Sequence, residues 1–281
     1  CALMCLGAFA NAQYNTLCWK IFGNGARDTS YLYGTMHTSD KRVFNFSEQV
    51  TAAFDGSKAY AMELDPSNAF QPGLLSRVMM GKGQSLKKMI PESNYKTLDS
   101  TFKASYGFGL AMFDNVAPVF VMTMYESVQL GVEESALSNK EVLDLYWYKQ
   151  AKKQKKKIIG IETVEEQISA LNALSYQEQA ELLVNEMNQA GTDSGSDGHD
   201  LMDYYLRGAL DSLALFDSEL LMQTKYAQSL LTDRNQRMAD RIGKTVKQQK
   251  SFVAIGAMHL PTPTGVIALL RAQGFTVEPI N

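Results

Sequence analysis

The chain contains 281 residues, of which 45% are hydrophobic and 20% are charged, and it carries a net charge of −3 with a pI near 5.7. These values are typical of a globular protein that is long enough to bury one large core. They argue against nucleic acid as a partner, because a nucleic-acid-binding surface needs a clear excess of basic residues. After Cys1–Ala10, no segment approaches the roughly 20 continuous apolar residues of a membrane span.

The first residues have the pattern of a targeting segment. Cys1–Ala10 is almost wholly apolar, and Ala10-Asn11-Ala12 fits the small-x-small site of signal-peptidase cleavage. We interpret residues 1–12 as the remnant of a signal peptide and residues 13–281 as a single exported domain, periplasmic or extracellular. The alternative is a buried first strand or helix.

The cysteines bear on both anchoring and stability. A lipoprotein anchor at Cys5 is less favoured, because Met4 stands where a small residue usually precedes a modified cysteine. Cys18 would be the only cysteine left after cleavage, so no internal disulfide or cysteine-based metal site is expected. Its apolar surroundings predict a buried strand thiol.

Short apolar segments alternate with longer helical patterns, which predicts an α/β (α+β) fold. We expect a mixed, largely parallel central sheet that is flanked by helices. Asn24–Asp28 has the composition of a hairpin turn between the first two strands. The predicted strands are Thr16–Ile21, Ser30–Thr35, Ala59–Leu64, Lys157–Ile161, Phe252–Gly256 and Phe275–Ile280.

Helical patterns fill most of the remaining chain. Gln71–Phe113 is rich in Met and Gly without a clean strand, and it predicts a helical cap over the sheet. Residues 191–198 contain mainly Gly, Ser and Asp and predict a mobile loop, in which His199 is expected to be solvated. The predicted helices are a short one capped by Ser47, Val116–Leu130, Glu141–Lys153, Glu165–Leu174, Gln177–Gln189, Leu201–Leu231, Arg234–Lys247 and Pro261–Ala272.

One four-residue pattern occurs twice. Gly34-Thr35-Met36-His37 and Gly256-Ala257-Met258-His259 each follow an apolar strand, and they hold two of the three histidines in the chain. A single histidine at a strand end is more often a structural, hydrogen-bonded residue. The repetition favours two matching halves of one site, with imidazoles that serve as metal ligands or general bases.

Two further predicted strands end in carboxylates, at Glu63 and Glu162. If the four strands are parallel, their carboxyl ends share one edge of the sheet, where α/β proteins usually place their sites. Imidazoles and carboxylates there suit Zn, Mn, Co or Fe, and such an ion can activate water for hydrolysis. For Glu162 the alternative of a helix-capping acid stays equally open. Asp65 fits a turn or cap residue better than a ligand.

Arg234 and Asn235 stand near the start of a predicted helix. Their spacing alone favours an acidic cap followed by exposed polar residues. The functional alternative is that the two side chains reach the site and hold a carbonyl or an anionic intermediate.

The ordered motifs resemble the TraB/GumN family over nearly the whole chain after the signal segment. The resemblance implies a Tiki/EreA–ChaN-like fold, shared with Tiki metalloproteases, erythromycin-esterase-like proteins and haem-binding ChaN-like proteins. Many relatives have Gly two positions after the second His-Leu, where this chain has Pro261-Thr262-Pro263, so its substrate preference is open. The motifs that carry the resemblance are Tyr31–His37, Met62–Asp65, Ile159–Thr163, Arg234-Asn235 and Val253–Gly274.

The resemblance implies His37, Glu63 and His259 as ligands of a divalent metal ion such as Mn, Co or Zn. Arg234 and Asn235 match a polar pair of the family, and Glu162 matches a recurrent acid whose role is not assigned. The predicted catalytic set is therefore Glu63, Glu162, Arg234 and Asn235.

We expect a metal-dependent hydrolase of peptidase type, acting on a peptide or a small molecule. The alternative is a non-catalytic protein that binds a peptide pheromone, haem or another small ligand, for which the Met-rich segment Met79–Met124 offers an adaptable apolar surface. A purely structural export-associated domain is a third possibility. The sequence sets neither the substrate nor the oligomeric state.

Overall fold

A computed structural model describes residues 15–38, 40–68, 74–129, 142–191, 197–221 and 228–280 of the chain. The predicted signal-peptide remnant and Cys5 lie outside these ranges, as does the centre of the predicted Gly/Ser/Asp loop. Within them, no helix is both long enough and apolar enough to cross a membrane.

The described residues form one six-stranded sheet with the order β4-β3-β5-β2-β1-β6. Strands β4, β3, β5 and β2 are parallel to one another, whereas β1 pairs antiparallel with both β2 and β6. The predicted mixed, largely parallel sheet is therefore confirmed. The strands are β1 (Cys18–Phe22), β2 (Ser30–Thr35), β3 (Ala59–Met62), β4 (Lys157–Gly160), β5 (Ser251–Gly256) and β6 (Thr276–Pro279).

Helices flank this sheet and fill most of the remaining described chain. A short π-helical turn, Gln228–Thr232, leads directly into one of them. The helices are α1 (Glu48–Asp55), α2 (Leu74–Val78), α3 (Leu86–Met89), α4 (Glu92–Tyr106), α5 (Pro118–Gln129), α6 (Leu143–Lys153), α7 (Val164–Leu171), α8 (Tyr176–Gly191), α9 (Asp197–Leu206), α10 (Leu210–Leu221), α11 (Asp233–Gln248) and α12 (Val266–Ala272).

Local sequence signals account for the first elements. Gly23, Asn24 and Gly25 all have positive φ, which forms the tight turn between β1 and β2. Ser47 caps α1 by accepting the backbone N–H of Val50, as predicted. Cys18 is a buried free thiol, as expected, and burial raises its pKa to about 12.

Three predicted boundaries are wrong for identifiable reasons. The run Leu201–Leu231 breaks between α9 and α10, because Gly208 adopts a φ of 65° and a Cβ there would lie 2.7 Å from the Thr16 Cα. Helix α9 already begins at Asp197, so His199 lies on a helix and not in a loop. Helix α12 begins at Val266, well after Pro261, since the intervening segment includes a left-handed residue.

An aromatic core covers one face of the sheet. Trp147 of α6 is 2% exposed and lies 5.9 Å from Tyr33, 5.2 Å from Phe252 and 4.6 Å from Phe54, measured between ring centroids. Rings at these distances add a geometric preference to the burial of apolar area. This cluster fixes α1 and α6 on β2 and β5.

The predicted cap has a separate hydrophobic core. It extends beyond the predicted segment, because α5 and α8 pack with α3 and α4 around it. Arg77 of α2 contacts Glu165 of α7 at 2.8 Å, which joins the cap to the helix that follows β4. The fully buried side chains of this core include Leu86, Leu98, Phe102, Leu110, Val119 and Leu183.

A carboxylate ties α7 to α11. Glu166 and the N-cap residue Thr163 form a capping box, and Arg241 of α11 donates two 2.6 Å bonds to the Glu166 carboxylate. Arg241 also donates to the Ile161 carbonyl at 2.7 Å. The end of β4, the start of α7 and α11 are therefore held together at one point.

We predict that Glu166→Gln lowers the free energy of unfolding by about 1 kcal/mol at neutral pH. The hydrogen bond from Arg241 lowers the pKa of Glu166 to about 2, from a usual 4.5. The stabilisation should therefore be complete above pH 4.5 and disappear as the pH falls toward 2. Urea unfolding at neutral and acid pH measures it, with Glu181→Gln as the control because Glu181 is an exposed helical glutamate outside this contact. Equal losses for Glu166→Gln at both pH values would contradict the prediction.

Candidate functional site

The predicted clustering of four strand ends at one edge is confirmed. Strands β4, β3, β5 and β2 are consecutive parallel neighbours, so their carboxyl ends lie side by side. The residues that follow them are, in that order, Glu162, Glu63, His259 and His37. His259 is therefore flanked by Glu63 on one side and by the first histidine motif on the other.

The two copies of the repeated motif pack directly on each other. In the pairing of β2 with β5, Gly34 lies opposite Ile255 and Thr35 opposite Gly256. A Cβ on Gly34 would lie 2.9 Å from a methyl carbon of Leu260 and 3.1 Å from the Ala257 Cα. The first motif thus needs glycine because the turn of the second motif rests on it.

Glycine has a different function in the second motif. The backbone N–H of Gly256 donates to Glu63 Oε1 at 2.7 Å. A Cβ on Gly256 would lie 3.1 Å from the same oxygen. The absence of a side chain therefore lets the Glu63 carboxylate approach the end of β5.

His259 is held in one orientation. Its Nδ1 lies 2.6 Å from Asn235 Oδ1, and the Asn235 amide donates to the Thr264 carbonyl at 2.9 Å. Because this second bond fixes the amide, Asn235 offers its oxygen to the ring, which places the imidazole proton on Nδ1. The lone pair of Nε2 then faces Glu63 Oε1, 3.8 Å away. Burial lowers the pKa of His259 to about 4, so the ring is neutral at neutral pH.

Arg234 joins the two carboxylates of the edge. It donates to Glu162 through Nε and through Nη2, the latter at 2.6 Å, and Nη2 also lies 3.0 Å from Glu63 Oε2. Gln167 of α7 donates to both carboxylates, at 3.3 Å and 3.2 Å. Burial disfavours the charged form of Glu63, but nearby His259, Arg234 and His37 together lower its pKa to about 2.

This network decides two alternatives that the sequence left open. The N-cap of α7 is Thr163, and Glu162 has a fully buried side chain in the ion pair, so its helix-capping interpretation is wrong. Arg234 and Asn235 face inward, with 12% and 2% exposure, so the exposed-surface interpretation is wrong for both. Asp65, by contrast, accepts from Ser67 in a turn, as expected.

His37 has a different environment from its counterpart. Its side chain is 69% exposed, and its Nε2 lies 3.5 Å from Asp144 Oδ2. The negative charge of Asp144 raises the pKa of His37. The edge therefore brings together Glu63, Glu162, Arg234, Asn235 and His259, whereas His37 lies with Asp144.

Sequence reasoning missed Asp144 and Gln167. For Asp144 a signal existed, because an acid stands beside the buried helical residues Leu143 and Trp147. Gln167 carries no comparable signal, since it is one of many polar residues on a helix.

The donor atoms fit a divalent ion in part. Among the described residues, no group of three or more His, Cys, Asp or Glu side chains is arranged to hold a metal. Two donors are nevertheless suitable: the His259 Nε2 lone pair and Glu63 Oε1 lie 3.8 Å apart. Metal–nitrogen and metal–oxygen bonds of about 2.0–2.2 Å can reach one ion from that separation. The third predicted ligand, His37, lies 3.5 Å from Asp144 Oδ2 through Nε2, which leaves Nδ1 as the ring nitrogen with a lone pair to offer.

The model of the TraB/PrgY/gumN family matches residues 17–279. The chain is 28% identical to "Metalloprotease TIKI2" of Xenopus tropicalis over 89% of its own length and 57% of that protein. It is 28% identical to "Metalloprotease TIKI1" of Danio rerio, covering 95% of the chain and 63% of that protein. It is 25% identical to "Metalloprotease TIKI1" of Homo sapiens, covering 95% of the chain and 62% of that protein. The chain thus spans about three fifths of these relatives, and no solved structure matches it significantly.

The two motif glycines should respond differently to alanine. We predict that Gly34→Ala lowers the free energy of unfolding by about 1–3 kcal/mol, because the Ala257 backbone cannot yield. Gly256→Ala should stay within about 1 kcal/mol of wild type, since the Glu63 carboxylate can shift. Chemical unfolding measures both, and Gly81→Ala is the control because a Cβ there meets nothing within 4 Å. The explanation fails if Gly34→Ala is as stable as Gly81→Ala.

Proposed function

The chain belongs to the TraB/PrgY/gumN family, and on that basis together with the strand-end cluster we propose that it is a divalent-metal-dependent hydrolase that cleaves peptide bonds. The observation that carries the proposal is the His259 Nε2 lone pair, held toward the ionised Glu63 carboxylate. Relatives that bear the name metalloprotease support the same reaction class.

In this proposal His259 and Glu63 hold the ion, and His37 completes the set. A divalent ion held by these residues would supply Lewis-acid chemistry, lowering the pKa of water and polarising a substrate carbonyl. The charge balance of the cluster favours binding of a cation, because two carboxylates, Glu63 and Glu162, face the single guanidinium of Arg234. The identity of the ion stays open among Mn, Co and Zn.

The remaining residues hold these groups in place. Asn235 fixes the tautomer of His259, a function that commonly determines how well a histidine binds metal. Arg234 and Gln167 hold Glu63 against its neighbour Glu162, so that Oε1 stays beside Gly256 and His259. We assign Arg234 the further function of stabilising negative charge that develops on the substrate carbonyl.

The place of action is also a proposal. The signal-peptide pattern of residues 1–12 supports export to the periplasm or the extracellular space. A peptide substrate is proposed over other small molecules because of the names of the relatives.

We predict that the purified protein cleaves peptides when Mn, Co or Zn is added, and that a chelator abolishes the cleavage. His259→Ala and Glu63→Gln should each lower kcat/KM by roughly 100-fold, because the first removes a donor to the ion and the second removes the charge of a donor. A fluorogenic peptide library provides the measurement. His199→Ala controls for the loss of a histidine outside both motifs, and Glu165→Gln controls for the loss of a carboxylate that pairs with Arg77.

Two outcomes would count against the hydrolase. Equal activity in wild type and both site variants would show that the cluster is not catalytic. No turnover with any of the three ions, together with a shift in absorbance when haem is added, would favour the non-catalytic ligand-binding protein.

A further inference from the structure

We propose that Asp144 is a positioning residue for His37, which it holds at the site through the ring Nε2 as Asn235 holds His259 through Nδ1. The inference rests on the proposed function, because it assigns Asp144 to the same site. Asp144 belongs to neither histidine motif and lies on α6.

Asp144 is built into the first histidine motif. Its Oδ1 accepts from the hydroxyl of Thr35, the second residue of that motif, at 2.8 Å. The backbone N–H of the adjacent Leu143 donates to the Thr38 carbonyl at 3.2 Å. The start of α6 is therefore attached to the residues on both sides of His37.

The second carboxylate oxygen has no hydrogen-bond donor among the described residues. Asp144 Oδ2 is buried although the side chain as a whole is 20% exposed. A buried carboxylate oxygen without a donor is unfavourable and therefore indicates a missing partner. The His37 Nε2 lies 3.5 Å from it, slightly longer than a good hydrogen bond. Such contacts at catalytic sites often shorten when substrate binds.

The nearby tyrosine hydroxyls do not donate to Asp144 Oδ2. Burial, together with the charge of Asp144, raises the pKa of Tyr60 and Tyr205, which shows that both lie within electrostatic reach. The Tyr205 hydroxyl donates instead to the Gly34 carbonyl at 3.0 Å. The Tyr60 hydroxyl makes no hydrogen bond with the described residues. His37 is thus the partner that the geometry offers.

The two histidines are held by opposite ring nitrogens. With Nδ1 of His259 bonded to Asn235, its Nε2 is free, and with Nε2 of His37 directed at Asp144, its Nδ1 is free. The neutral amide of Asn235 leaves its ring neutral, whereas the carboxylate of Asp144 favours a protonated Nε2. Glu63 and Arg234 also act on His37, in opposite directions.

The test uses the ring nitrogens of His37, observed by ¹⁵N NMR in the whole purified protein without added metal. The chain has only three histidines, so His199→Gln and His259→Gln assign the signals. In wild type, at a pH where the ring is neutral, we expect the proton on Nε2.

Asp144→Asn should reverse this tautomer. If the hydroxyl of Thr35 keeps its bond to the amide oxygen, the new NH₂ group faces Nε2 of His37 and makes it an acceptor. The proton then moves to Nδ1 of His37, so this nitrogen no longer offers a lone pair to the site. We expect kcat for peptide cleavage to fall by at least roughly 10-fold, with KM nearly unchanged. Asp203→Asn, which changes an exposed acid, is the matched control.

A double variant separates positioning from folding. In Thr35→Val/Asp144→Asn the amide is free to rotate and offer its oxygen to His37, so the proton should return to Nε2. If Asp144→Asn is unstable, the wild-type tautomer alone tests the inference, because a proton on Nδ1 of neutral His37 would contradict it.

Unchanged His37 signals in Asp144→Asn would overturn the inference even if metal-dependent cleavage is found. The tautomer of His37 is measured without any catalytic turnover. A reversed tautomer in a protein without hydrolase activity would therefore leave the Asp144–His37 pairing standing while the proposed function fails.

Discussion

The parallel pairing of β2 with β5 determines how the rest of the site is arranged. Because Thr35 lies opposite Gly256, the two strands end at the same height and present their Gly-x-x-His turns side by side. A parallel pair requires a long crossover, and the chain between the two motifs provides it. That crossover contains the helical cap, the carboxylates of β3 and β4, and the start of α11. A repeated motif at two ends of a sequence thus becomes one edge of a sheet.

The position of β5 between β3 and β2 explains why identical motifs acquire different environments. His259 follows the central strand and is buried beside Glu63, whereas His37 is largely exposed. The helical residues that contact the two histidines make their environments differ further. An amide from Asn235 suits a ring that must stay neutral, and a carboxylate from Asp144 suits one that carries a proton. Burial then lowers one imidazole pKa, while charge raises the other.

Local patterns in the sequence predict the strands well, but they predict contacts between distant segments less well. The predicted strand Ser30–Thr35 has the bounds of β2, because the run Tyr31-Leu32-Tyr33 followed by Gly34 is a purely local signal. The break at Gly208 was missed, since it depends on contact with the distant Thr16. Similarly, the sequence named Glu63 and His259 from their strand ends. It did not reveal that Asp144 would pair with His37, because that contact joins residues more than a hundred positions apart.

The central claim is that the two histidine motifs serve one metal site. Elemental analysis of the purified protein, beside the variant His37→Ala/His259→Ala, tests it most directly. After dialysis against Mn, Co or Zn, we predict about one tightly bound divalent ion per chain in wild type and none in the double variant. Wild-type protein without a bound ion, or equal metal content in both proteins, would contradict it.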